Sequence, residues 1–207
     1  MSIFKIGSPI FNGLSRIFDI LLLNFLWLLC SIPVITIGAS TAALYYCMMK
    51  INRERDSGIV EMFFKSFRQN FKQGCILTII FIFSGIFLYV DIQACKAIGG
   101  ALENIIIVIL LVLVVIWGIM ISYTFPLLAQ FDNTLINTLK NSLLLAISNI
   151  KKTVPIFILN AVPVVLFFGL PYAFVFCIPL LLTFGAALIS FFNSKILISV
   201  FDKYMQS

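Results

Sequence analysis

Long apolar runs fill this 207-residue chain, and short polar stretches separate them. The first run covers residues 17–51 and is interrupted by Asp19, Asn24 and the group Ser31, Ile32 and Pro33. It holds about 35 residues, whereas one helical crossing of a bilayer takes about 20. Two readings stay open: one long helix kinked at Pro33, or two helices of about 16 residues each that reverse near residues 33–38. Pro33 removes a backbone donor and biases Ile32 away from the helical conformation. Ser31, Thr36 and Ser40 carry hydroxyls that can satisfy the freed backbone groups inside protein. Further apolar runs follow at about residues 74–90, 103–128, 153–168 and 172–200. Pro163 breaks the fourth of these five runs, and Pro179 and Gly185 interrupt the last. Residues 91–102, with Lys96, Gly99 and Gly100, read as a short connection, and Gly169, Leu170 and Pro171 as a tight turn.

A different pattern occupies residues 59–72. At 100° per residue, Ile59, Val60, Phe63, Phe64, Phe67 and Phe71 fall within an arc of roughly 140°. Glu61, Lys65, Arg68, Gln69, Lys72 and Gln73 take the other side. This predicts a basic amphipathic helix lying at a membrane surface with its phenylalanines down. Residues 135–147 predict a second one, with Leu135, Ile136, Leu139, Leu143 and Ile147 on one face and Asn137, Asn141 and Asn149 off it. An offset of 76 residues sets Phe63, Phe67 and Phe71 against Leu139, Leu143 and Ile147, Asp56 against Asp132, and Ser66 against Ser142. The chain thus reads as a single domain, residues 1–207, with a possible internal repeat at about 34–90 and 110–168. Repeats of this kind occur in transporter folds.

Composition fixes the class. The chain is 62% hydrophobic and only 11% charged, too little charge to build a water-facing surface. The fold class is therefore all-α: a polytopic membrane helical bundle of five to six transmembrane helices plus two cytoplasmic amphipathic helices. The net charge of +6 reads as topological rather than as nucleic-acid binding. Lys50, Arg53, Arg55, Lys65, Arg68, Lys72, Lys140, Lys151, Lys152, Lys195 and Lys203 fall on one side, the cytoplasmic one by the positive-inside rule. A hairpin at Pro33 adds Lys5 and Arg16 to that side and leaves Lys96 outside. This favours six crossings with both termini inside over five. Residues 1–16 have no small-residue cleavage site after a short apolar core, so no removable signal peptide is read there.

Chemistry is sparse. There is no histidine, and the five cysteines are scattered without a CxxC pair, which fits small core residues. No HExxH, GxSxG or phosphate-binding glycine loop is present, and Asp19 and Asp91 sit at opposite ends of spans. No catalytic residue, cofactor or metal ligand is expected. Polar residues at membrane depth remain: Asp19, Asn24, Asn160 and Asn193. Each reads either as an interhelical bond or as a contact with a partner or ligand. Pro33 and Gly38 are candidate hinge positions. Phe63, Lys65, Phe67, Arg68, Phe71 and Lys72 are the candidate contacts with a partner or lipid.

Residues 31–50, SIPVITIGASTAALYYCMMK, resemble the YesL family of bacterial membrane proteins, a domain of unknown function. The preceding DILLLNFLWLLC and the later FFKSFRQNFKQ resemble the family's start and its first cytoplasmic helix. The resemblance is carried by Pro33, Thr36, Gly38 and Ala39 followed by Ala43, Leu44, Tyr45 and Tyr46, and covers about the first 75 residues. It implies a Gram-positive plasma membrane protein. Members are often encoded beside carbohydrate ABC importers, which implies a role beside sugar uptake, with permease or ATPase subunits as partners. The alternatives are an independent small transporter or channel, or a lipid-interacting structural protein.

Overall fold

A computed structural model describes residues 9–53, 58–100, 103–169 and 181–205. Among them there are helices and turns but no strand. In chain order these are α1 (Pro9–Cys30), a 3₁₀ turn (Val34–Thr36), α2 (Ile37–Asn52), α3 (Ile59–Ile98), α4 (Glu103–Gln130), α5 (Leu135–Ser148) and α6 (Ile150–Gly169). A π-helical turn (Leu181–Gly185) then leads into α7 (Ala186–Met205). Five helices are long and apolar enough to cross a membrane, and α5 with α6, bent by 111°, could count as a sixth. Phe83, Phe87, Ile105 and Val108 on α3 and α4 are exposed, as lipid-facing side chains are. Pro171, Tyr172, Cys177 and Pro179 lie outside the described residues, as do Lys5, Arg55 and Asp56.

The first apolar run is a hairpin, which rules out the single kinked helix. Pro33 (φ −73°, ψ 113°) starts the 3₁₀ turn, and its carbonyl accepts from Thr36 N at 2.9 Å. The Thr36 hydroxyl donates inside the turn, to the Cys30 or Pro33 carbonyl. Ser31 and Ser40 hydroxyls meet at 2.6 Å and Trp27 Nε1 donates to Thr41 Oγ1 at 3.0 Å, pinning the two legs together. Leu23, Leu26, Leu44, Met48 and Ile51 then share one core cluster.

The amphipathic stretch at residues 59–72 is not a separate surface helix. It is the first third of α3, whose 40 residues run unbroken for about 60 Å. The sequence from Ile59 to Ile98 holds no proline, and its two glycines both sit in close contacts, Gly85 against Trp117 and Gly74 against α2. A Cβ on Gly74 would lie 2.6 Å from Ala39 N, and one on Gly38 would lie 2.6 Å from Gly74 O. Gly38 N donates to Thr78 Oγ1 at 2.9 Å, and that hydroxyl donates to Gly74 O at 2.8 Å. Near the far end of α2, Phe63 packs with Cys47 and Ile51. Small residues thus let two backbones touch, the usual device where lipid supplies no hydrophobic drive.

α3 reverses into α4 at Gly99 and Gly100, whose φ values of 66° and 104° suit only glycine well. The predicted connection is therefore shorter than residues 91–102, because α3 keeps its helix to Ile98. Trp117 closes the α3–α4 seam, its Nε1 donating to Ser84 Oγ at 2.9 Å beside Gly85. From Thr78, α3 continues for about 30 Å, so the α1–α2 hairpin flanks only one part of the α3–α4 hairpin.

α5 also packs differently from its sequence pattern. Thr138, Ser142 and Ala146 are buried, while Ile136 and Ile147 are exposed by 78% and 64%. The small stripe is the most buried, because it allows the closer approach, and Leu135 and Leu139 pack partly buried beside it. Thr134 caps the helix, its side chain accepting from Asn137 N. At position 149, which the repeat sets against Gln73, α5 ends, and Asn149 Nδ2 bonds Leu145 O at 3.0 Å. α3, by contrast, runs on through Gln73. Pro163 does not break α6, which stays helical from Ile150 to Gly169.

The α2–α3 crossing yields a direct prediction. Gly74→Ala forces a methyl into the Ala39 backbone and should cost about 1–3 kcal/mol, as overpacking does. Thermal unfolding in detergent should show a lowered midpoint, while Gly13→Ala, with open space around it, should leave it unchanged. An unchanged midpoint for Gly74→Ala would mean that the crossing is looser than described.

Candidate functional site

Four polar residues of the spans, Tyr45, Ser122, Asn160 and Asn193, come together where α2, α4, α6 and α7 meet. Asn193 is fully buried on α7, and its Nδ2 donates to Asn160 Oδ1 at 2.9 Å and to Tyr45 Oη at 3.2 Å. Asn160 Nδ2 in turn donates to Ser122 Oγ at 2.9 Å. Ser122 Oγ is also 2.8 Å from the Gly118 carbonyl. Tyr45 and Asn160 stand near the middle of their helices, Asn193 is well inside α7, and Ser122 lies further toward the α4 C-terminus. One atom is left over. Asn193 Oδ1 is buried without a hydrogen-bond partner. Turning the amide over would exchange oxygen and nitrogen but still leave one of them unused.

Two cavities flank this centre. One, of about 460 Å³, lies between α2, α4 and α6 and includes Thr41, Tyr45, Ser122 and Asn160 among its walls. The other, of about 410 Å³, lies between α1, α2, α6 and α7 and shares Thr41, Tyr45 and Asn160 with the first. Both have mostly apolar walls with no charged side chain among the described residues. A second hydrogen-bonded junction, Tyr123 Oη to Thr153 Oγ1 at 2.8 Å, holds α4 to the start of α6.

The other sequence candidates are placed as follows. Asn24 is 1% exposed, and its Oδ1 accepts from Ala187 N at 3.1 Å, tying α1 to the first turn of α7. Asp19 sits half-buried on α1. Pro33 starts the hairpin turn at the surface, and Gly38 is a close-contact position against Gly74 and Thr78. Phe63 is fully buried, so it cannot meet a partner or lipid. Phe67 packs half-buried against the same core. Their faces turn inward because the buried line of α3 follows Phe63, Ser66, Gly74 and Thr78. Lys65, Arg68, Phe71 and Lys72 are exposed. Asn160 and Asn193 were visible in the sequence as polar residues at depth, but Tyr45 and Ser122 carried no such signal.

Residues 20–92 match a family of proteins of unknown function, DUF624. This bears out the resemblance to the YesL family, itself a DUF624 family. No curated protein and no solved structure matches the chain. The DUF624 stretch takes in the second half of α1, all of α2 and α3 as far as residue 92, so it holds the α1–α2 turn and the Gly38–Gly74 crossing. Tyr45 is inside it; Ser122, Asn160 and Asn193 are beyond it.

Two phenylalanines separate core from surface on α3. Phe63→Ala removes a fully buried ring and should destabilise by about 3–5 kcal/mol. Phe71→Ala, at a side chain 45% exposed, should stay within about 1 kcal/mol. Unfolding midpoints of the two purified variants check this, and equal losses would contradict the assigned face.

Proposed function

We propose that this chain is a non-catalytic integral protein of a bacterial plasma membrane that acts as an accessory subunit, associated with a carbohydrate ABC import system. One observation carries the reading. Packing of α3 against α2 consumes Phe63, Ser66 and Gly74 and leaves Lys65, Arg68 and Lys72 exposed beside the exposed rings of Phe64 and Phe71. A rigid basic and aromatic helix face suits docking onto a permease or ATPase subunit. The tie to carbohydrate import rests on the family resemblance.

The charge distribution supports an orientation. Arg53 pairs with Asp202, Gln73 Nε2 donates to Asn133 O at 3.1 Å, and Lys152 Nζ donates to Ser199 O at 3.1 Å. The Arg53 and Lys152 bonds join the basic ends of α2 and α6 to α7, Gln73 ties α3 just past its basic stretch to the α4–α5 connection, and Lys96 lies at the other end of α3. By the positive-inside rule the basic end is cytoplasmic, with both termini on that side. Single cysteines at 65 and 151 in a cysteine-free background should then be shielded from a membrane-impermeant reagent in intact cells, and one at 96 should react. Labelling of position 65 from outside would reverse the orientation.

The docking face has its own test. Phe64→Ala with Phe71→Ala should lower partner recovery from native membranes several-fold while the protein stays inserted, since aromatic anchors cost roughly 2 kcal/mol or more on truncation. Normal recovery would leave this face to the lipid. Lys65→Glu with Arg68→Glu would then weaken attachment to anionic membranes by about 1 kcal/mol per lost basic residue. A second reading, an independent small carrier, is favoured by the polar centre beside Pro163 and the π-helical turn Leu181–Gly185. Flux into liposomes that Asn160→Leu abolishes would select it.

A further inference from the structure

The cavity between α4 and α6 has a polar inner end and an apolar body. At the inner end stand the Tyr45, Thr41 and Ser122 hydroxyls and the Asn160 amide. Trp117, Phe125 and Phe157 wall the body, with Val164 and Val165 also lining it. Val164 and Val165 are exposed by 56% and 64%, so this side of the cavity opens where a spanning helix meets lipid chains. Its volume of about 460 Å³ is that of a small-molecule site.

The chemistry narrows the occupant. Among the described residues no charged side chain lines the cavity, so a carboxylate, phosphate or ammonium would be desolvated without compensation from them. A pure hydrocarbon would leave the polar end unused. Asn160, which lines the cavity, gives one N–H to Ser122 and one oxygen lone pair to Asn193, so its amide keeps a second donor and a second acceptor for an occupant. A hydroxyl both donates and accepts, so it can enter this cluster whichever way the two amides are turned. We propose that the cavity binds an uncharged, hydroxyl-bearing amphiphile taken up from the membrane, with its hydroxyl at Asn160 and Ser122 and its chain along Trp117 and Phe157. A free long-chain alcohol and the hydroxyl of a neutral glyceride share this chemistry. The inference stands independently of partner docking through α3.

Trp117 reports on the site directly. The chain has two tryptophans, so Trp27→Phe leaves Trp117 as the sole emitter. In phosphatidylcholine liposomes, 12-bromododecanol should quench Trp117 saturably. 1-Bromododecane and 12-bromododecanoate should need about tenfold higher membrane concentrations, the worth of one hydrogen bond or an unpaired charge. Asn160→Leu should weaken the alcohol by about tenfold. Ala161→Phe, which fills the cavity from its wall, should abolish saturation and decides the matter if the Asn160 variant does not insert. A brominated diacylglycerol separates the sources: saturation by it alone assigns the site to a neutral lipid, and saturation by both assigns it to hydroxyl-bearing chains generally. If the Trp27→Phe protein does not fold, thermal stabilisation of the native chain by dodecanol over dodecane gives the same comparison. Quenching that rises linearly with every probe and ignores Asn160→Leu and Ala161→Phe would reduce the cavity to ordinary lipid contact. Equal stabilisation by dodecanol and dodecane would do the same.

Discussion

The backbone contact between α2 and α3 at Gly38, Ala39 and Gly74 sets the rest of the architecture. In lipid, apolar side chains gain little by leaving their surroundings, so helices associate through close van der Waals contact and interhelical bonds. At this crossing, hydrogen atoms stand where any other residue would place a methyl group. The contact brings Thr78 within reach of Gly38 N and Phe125 of α4 against the same point. α2 becomes the central helix, with α1, α3, α4 and α7 around it. Its exposed fraction is accordingly the smallest among the candidate spans.

Around that contact the bundle is joined by hydroxyls and amides rather than by charges. Trp27 to Thr41, Ser31 to Ser40, Trp117 to Ser84, Tyr123 to Thr153 and Asn160 to Asn193 each link two helices. Neutral pairs suit membrane depth because an ion pair there must first be stripped of water. The ion pair of Arg53 and Asp202 is kept to the basic end, where both side chains retain some exposure. The same division explains why the two candidate surfaces differ. The exposed face of α3 is basic and suits a protein or anionic lipid. The central cavity is neutral and suits an uncharged molecule.

The sequence by itself determined the class and the approximate positions of the apolar helices, but not that residues 59–72 and 74–90 belong to one helix. Composition demanded a membrane protein, and hydropathy located the spans. Proline, serine and threonine marked the reversal between α1 and α2, where local hydrogen bonds close the turn. Paired glycines at 99 and 100 marked the α3–α4 turn because positive φ leaves few alternatives. Such features depend on residues a few positions apart, so a one-dimensional reading reaches them.

Which face of each helix is buried was decided by tertiary structure. The wheel for residues 59–72 laid Val60, Phe63, Phe64 and Phe71 on one membrane-facing arc, yet Phe63 and Ser66 are buried in the bundle while Val60, Phe64 and Phe71 are exposed. On α5 the fully buried positions are Thr138, Ser142 and Ala146, while Ile136 and Ile147 of the aliphatic stripe are exposed. The reason is physical: hydrophobic periodicity identifies the buried face when water is the alternative. Where lipid is the alternative, apolar side chains are content outside, and small residues that let backbones approach take the interface. Tyr45, Ser122, Asn160 and Asn193 are up to 148 positions apart in the chain. Only the packing of four helices brings them to one centre, because the bonds that join them have no counterpart in local spacing.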